Sequence, residues 1–118
     1  MHIDFRSEKL RREFEDERLL VRERGRVQTE KIKRRLTQID ASERLESLRN
    51  QPGHFHELVA DKDGWLACDL DGPNRLIFEV ADEPVPRRSD GGLDWSLVTC
   101  IRILGVLNYH ERNRKKPV

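Results

Sequence analysis

An α+β fold is predicted, with an N-terminal helical hairpin packed on one face of a small, antiparallel-rich twisted sheet. Three observations lead to it. Apolar residues recur at helical spacing up to about residue 50, and alternating runs separated by Gly, Pro and Asp turns follow. The order, helices first and an antiparallel meander after, is that of an α+β domain. At 118 residues the chain suits one domain with one modest core, divided as 1–50 for a strand and the hairpin, 51–110 for the sheet and 111–118 for a basic tail.

Met1 to Phe5 alternates weakly and reads as a short first strand, after which Ser7 is placed to cap a helix with its hydroxyl. Leu10, Phe14 and Val21 form one stripe of that helix. Gly25 suits its C-terminal cap and lets the chain reverse into a second helix from about Val27 to Asp40, with Ile32, Leu36 and Ile39 as its stripe. Ser42 caps a short third helix through Leu45 and Leu48, which ends before the turn signal Gln51-Pro52-Gly53. Strands are expected over His54 to Val59, Trp65 to Leu70 and Asn74 to Val80, joined by turns at Asp63-Gly64 and Asp71-Gly72-Pro73. In the third of these, alternation puts Leu76, Phe78 and Val80 on the core face and Arg75, Ile77 and Glu79 on the other. Ala81 to Leu93 is a surface loop, and a last strand runs from about Thr99 to Leu107.

Charged residues make up 38% of the chain and the formal net charge is +1, so no strongly basic balance announces phosphate binding. The one basic cluster, Arg112, Arg114, Lys115 and Lys116, reads equally as a solvated tail or a phosphate contact. Met1 to Phe5 has no signal-peptide pattern and no apolar run reaches membrane-spanning length, so a cytosolic protein with no membrane contact is expected. Cys68 and Cys100 stand apart from each other, and two reduced thiols are expected rather than a metal or redox motif.

Several stretches carry a resemblance that runs over nearly the whole chain. Pro52-Gly53-His54-Phe55-His56-Glu57-Leu58, Asp61-Lys62-Asp63-Gly64, Asn74-Arg75-Leu76-Ile77-Phe78-Glu79, Gly91-Gly92-Leu93-Asp94-Trp95-Ser96 and Asn108-Tyr109-His110 occur in the order and spacing of a known pattern. Together they resemble the HigB-like branch of the RelE/ParE toxin superfamily. Asn108 stands where the family's Asp-Tyr-His has Asp, and Asn74 where it has Tyr. The resemblance implies a RelE-like fold and a ribosome-dependent mRNA endoribonuclease working without metal or other cofactor. It also implies an antitoxin partner, usually a HigA-like helix-turn-helix protein. It assigns RNA cleavage to His56, Arg75, Tyr109 and His110; beside these, Lys62, Asn108, Arg112, Arg114 and Lys115 read as candidate RNA contacts.

Metal-free RNA cleavage needs a base for the attacking 2′-hydroxyl, an acid for the leaving oxygen and a cation for the phosphorane. His56 and His110 suit the first two tasks, shared across adjacent strands, and the sequence leaves open which is which. Arg75 suits the third with its planar fork, and Tyr109 can stack on a base or orient the backbone. Each has a plainer alternative: His56 as a surface histidine, Arg75 paired with Glu79 or Asp69, Tyr109 as an edge-packing aromatic. His54 and His56, flanked by Glu57 and joined by His110, could also be arranged around zinc, the three histidines having no fourth ligand at a recognisable spacing. Trp65 and Trp95 read as anchors of core or loop. A different class of function keeps the scaffold without the chemistry: ParE relatives bind DNA gyrase, and a degenerate toxin would serve as an interaction module through the charged hairpin, Glu8 to Asp40.

Overall fold

The computed structural model describes residues 1–58, 64–111 and 116–118. It is a mixed α+β structure in which helices cover one face of a five-stranded sheet. Strand β1 (His2–Phe5) is followed by helices α1 (Glu8–Glu15), α2 (Glu17–Arg24) and α3 (Arg26–Ala41), then by a 3-10 turn at Leu45–Leu48. Strands β2 (His56–Glu57), β3 (Trp65–Asp69) and β4 (Asn74–Val80) come next. A second 3-10 turn, Trp95–Leu97, precedes β5 (Cys100–Asn108). The spatial order is β1-β5-β4-β3-β2, with β1 parallel to β5 and the remaining pairs antiparallel. Among the described residues no helix is long and apolar enough to cross a membrane.

Ser7 caps α1 as its position predicts, its hydroxyl accepting the Leu10 N–H at 3.1 Å. The single first helix expected from the pattern is instead two. Asp16 is extended and its carboxylate accepts the N–H groups of Arg18 and Leu19, so an internal cap outcompetes helix continuation. Gly25, at φ +80°, closes α2 and opens α3. Glu17 and Lys33, equally far from it on either side, meet at 2.6 Å across the hairpin. The helices bury Leu10, Phe14, Leu20, Ile32 and Ile39 against Leu66, Cys68, Leu76, Phe78, Ile101 and Ile103 of the sheet. This is the dominant apolar burial, and it supplies most of the stability of helices this short.

Two boundary expectations are corrected. Ser42 does not start a third helix: its hydroxyl donates back to the Gln38 carbonyl at 2.9 Å and closes α3, and the turn after it is 3-10. The strand expected over His54 to Val59 reduces to His56–Glu57, because His54 adopts φ +52° and breaks the extended run; Val59 lies outside the described residues. Two residues of the 111–118 segment pack against the sheet. Pro117 is buried, and Val118 exchanges backbone hydrogen bonds with Val106 at 2.7 and 2.8 Å.

Alternation in β4 holds as predicted for Leu76 and Phe78, but Ile77 is fully buried too. It joins Ala67, Leu104 and Leu107 in a second, smaller cluster on the sheet face away from the helices, with Leu58 and Trp65 beside it. An irregularity in β5 permits this. Ile77 pairs with Gly105 and Phe78 with Ile103, leaving Leu104 as an extra residue. The bulge keeps Ile101, Ile103 and then Val106 toward the helices while turning Leu104 and Leu107 outward.

Candidate functional site

The outer face of the sheet gathers the polar residues of interest at one end. Arg75 shares the face of Ile77, Asp69 that of Ala67, and His56 lies opposite Ala67 across the β2–β3 pair. Phe55, between the two histidines, turns into the core and meets Phe78 edge to face at 6.4 Å. His54 and His56 flank that anchor on the outer side, and their rings stack at 4.1 Å between centroids and 17° between planes.

Arg75 faces Asp69 across β3 and β4, with Nε 3.0 Å from Oδ1. Its Nη1 donates to the carbonyls of Gly72 and Asn74 at 2.8 and 2.9 Å. The guanidinium lies over the Tyr109 ring at 5.1 Å, a cation–π arrangement on a half-exposed platform. Tyr109 is held by its own N–H, donated to Pro73 O at 3.1 Å. Burial pushes its phenol above the ordinary range, while the Arg75 charge pulls the other way. Of the two partners the sequence offers Arg75, Asp69 is therefore the one it takes; Glu79 instead accepts from Arg102 Nη1 at 2.9 Å.

Asp69 is the hub. Its Oδ1 is shielded from solvent and has no aligned hydrogen-bond donor among the described residues, so its charge rests on Arg75 Nε and, at 3.8 Å, His54 Nδ1. Its backbone is pinned from both sides, the N–H donating to Gly53 O and the carbonyl accepting from Arg35 Nε, each at 2.7 Å. Arg35 is a buried side chain of α3 whose Nη1 also donates to Gln38 Oε1 at 2.9 Å. The helical layer thus reaches through to the polar end of the outer face.

His56 is fixed differently. Its Nδ1 lies 2.7 Å from the His54 carbonyl, which can only accept, so Nδ1 is the donor of that contact and Nε2 is the ring nitrogen left outside it. The expectation that His56 and His110 lie on adjacent strands is wrong. His56 is in β2 and His110 follows β5, with β3 and β4 between, roughly 14 Å of sheet at the usual strand spacing. His110 is exposed, its N–H donating to Asn108 Oδ1 at 2.9 Å. Asn108 ends β5 opposite Asn74. Lys62, Arg112, Arg114 and Lys115 lie outside the described residues.

Glu57, grouped with the histidines in the zinc reading, accepts the Trp95 indole N–H at 2.9 Å. Trp95 is the anchor it was expected to be, buried with the Arg49 guanidinium 4.1 Å over its ring. The residues that pattern reasoning left out of the catalytic set are His54 and Asp69. The signal that points to them is the strand register, since pairing His56 with Ala67 carries position 54 toward Asp69. No protein-family model matches this chain, and no curated protein matches it.

Proposed function

We propose that this chain has a RelE-like fold and is the toxin of a type II toxin–antitoxin pair, a metal-independent, ribosome-dependent mRNA endoribonuclease neutralised by a helix-turn-helix antitoxin. The observation that carries this reading is the Arg75 guanidinium laid on Tyr109, with Asp69 and a stacked histidine pair on the same face of the sheet. A planar cation, an aromatic platform and imidazoles suit a phosphodiester with an unstacked base beside it. His56, with its free Nε2, takes the proton of the 2′-hydroxyl. Arg75 leaves Nη2 without a hydrogen-bond partner among the described residues, and that nitrogen meets the phosphorane charge. Tyr109 stacks the base, and Asn108 and His110 hold the nucleotide chain beyond it. Lys62, Arg112, Arg114 and Lys115 are assigned to ribosomal or messenger RNA, and the charged hairpin to the antitoxin.

A second reading, a ParE-like toxin that binds a protein such as DNA gyrase, is favoured by the Arg75–Asp69 pair, which already neutralises the cation, and by the distance between His56 and His110. The deciding experiment induces the protein in cells and maps new 5′ ends across the transcriptome beside Arg75→Ala, His110→Ala and vector cultures. Cuts inside translated frames that vanish in Arg75→Ala are expected. Growth arrest without cuts selects the gyrase-type binder, and neither effect selects a spent toxin.

A further inference from the structure

Strand order puts His110 three strand spacings from His56, too far to act on the same bond as its acid. A second imidazole does lie beside His56, stacked on it at 4.1 Å. Its residue, His54, is held in the left-handed region at φ +52°, an uncommon conformation outside glycine that persists only where surroundings enforce it. The enforcement is visible: Gly53 O accepts the Asp69 N–H, and Arg35 packs against Gly53 so closely that a Cβ there would lie 2.8 Å from Nε. The bend places His54 Nδ1 3.8 Å from Asp69 Oδ1, the shielded oxygen that also carries Arg75.

We infer that His54 is the general acid of this site and that Asp69 positions it, an assignment that rests on the endoribonuclease reading. The roles divide by surroundings. His56 holds its Nδ1 proton on a neutral carbonyl and offers a lone pair at Nε2, as a base must. His54 has a carboxylate beside Nδ1 and keeps Nε2 for the substrate, so it is the ring suited to deliver a proton there. The two rings lie 4.1 Å apart between centroids, so a phosphodiester seated beside the pair has both imidazoles as neighbours.

In the step itself, the 2′-oxygen forms a bond to phosphorus as its proton passes to His56 Nε2. The bond from phosphorus to the 5′-oxygen breaks as that oxygen takes the proton of His54 Nε2. The products are a 2′,3′-cyclic phosphate and a 5′-hydroxyl end, and exchange with water restores both rings. Nothing is oxidised or reduced, and no co-reactant enters.

The test uses ribosomes programmed with an mRNA cut at its strongest mapped position, and a second mRNA carrying a 5′-bridging sulfur at that bond. A thiolate leaves without protonation, so loss of the acid is repaired by the sulfur and loss of the base is not. His54→Asn, chosen because Asn tolerates the left-handed backbone, and Asp69→Asn are expected to slow cleavage of the ordinary mRNA about 10²-fold or more. Both are expected to recover to within about tenfold of the unsubstituted protein on the sulfur-containing mRNA, while His56→Ala stays slow on both. Circular dichroism of each variant establishes that it is folded. If the unsubstituted protein cuts and folded His54→Asn cuts equally well, or stays slow on both messages, the acid assignment is overturned and the nuclease reading survives. If the unsubstituted protein cuts neither message, the nuclease reading fails and the acid assignment fails with it.

Discussion

Arg35, a buried residue of α3, donates from Nε to the backbone carbonyl of Asp69 at 2.7 Å, so a guanidinium rooted in the helical layer sets the position of a carboxylate on the opposite side of the sheet. The same side chain fills the space beside Gly53, whose φ of +114° and whose hypothetical Cβ at 2.8 Å from Arg35 Nε both exclude a side chain. Gly53→Ala is therefore expected to lower stability by about 1–3 kcal/mol and to disturb the His54 bend. Urea unfolding measures the first effect. Hydrogen exchange at the Asp69 amide, which donates to Gly53 O, measures the second and is expected to quicken.

Removing Arg75 strands its partner. Asp69 Oδ1 is shielded and would keep, among the described residues, only the His54 ring at 3.8 Å, so Arg75→Ala is expected to remain folded yet lose about 1–3 kcal/mol. Adding Asp69→Ala to it should cost less than the two single losses combined, because the second change removes the stranded charge. Additive losses in a double-mutant cycle would mean that the pair carries no coupling.

The Gly105 position makes a purely backbone demand. At φ +132°, a Cβ would come within 2.9 Å of the Val118 carbonyl oxygen, and backbone cannot swing aside as a flexible side chain can. Gly105→Ala is expected to break the Val106–Val118 pairing, exposing Pro117 and raising the hydrogen-exchange rate at the Val106 amide. An unchanged rate there would show that the strand accommodates the methyl group elsewhere.

Acid should weaken the fold through the carboxylates that tie loops down. At Asp82 burial raises the carboxyl, but donation from the Thr99 hydroxyl and the Cys100 and Thr99 amides outweighs it and holds the group below its ordinary value. Asp4 is lowered chiefly by the Phe5 N–H, with burial opposing and Arg102 and Arg11 assisting. A depressed folded-state value means that this stability is complete above the unfolded carboxyl range, about pH 4, and fades as pH falls through the folded value. Urea midpoints taken from pH 6 down to pH 2.5 should drop, and Asp82→Asn should flatten part of the drop.

Neither thiol is suited to reaction in the native state. Burial pushes Cys68 far above the usual thiol range, and at Cys100 burial, then Asp82 and Asp4, push the same way. Iodoacetamide near pH 8 is expected to label Cys68 only after unfolding. Rapid native labelling read by mass spectrometry would contradict the burial of that strand face.

Much of this architecture is legible in the sequence because local chemistry decides it. The Ser7 cap, the Gly25 reversal, the Asp71-Gly72-Pro73 turn and the whole of β4 follow from residues within a few positions of one another. What escapes is decided at a distance. Asp16 breaks a helix that the periodicity would have continued, since a cap and a helix interior compete for the same residue. The bulge at Leu104 changes which side of β5 faces the helices, and no alternation count anticipates it. The candidate site divides in the same way. Arg75 and Tyr109 are singled out by motif and the fold brings them together. The approach of His54 to Asp69 depends on strand register and on Arg35, which no local pattern contains.

The parallel pairing of β1 with β5 has a consequence for synthesis. Among the described residues His2–Phe5 pairs with Cys100–Ile103 alone, so β1 must wait for most of the chain to emerge while β2, β3 and β4 zip together by short loops. Tyr109 arrives just behind β5, which makes the platform under Arg75 one of the last parts to be laid down. A nascent chain therefore carries an incomplete candidate site until almost the whole described fold has been translated.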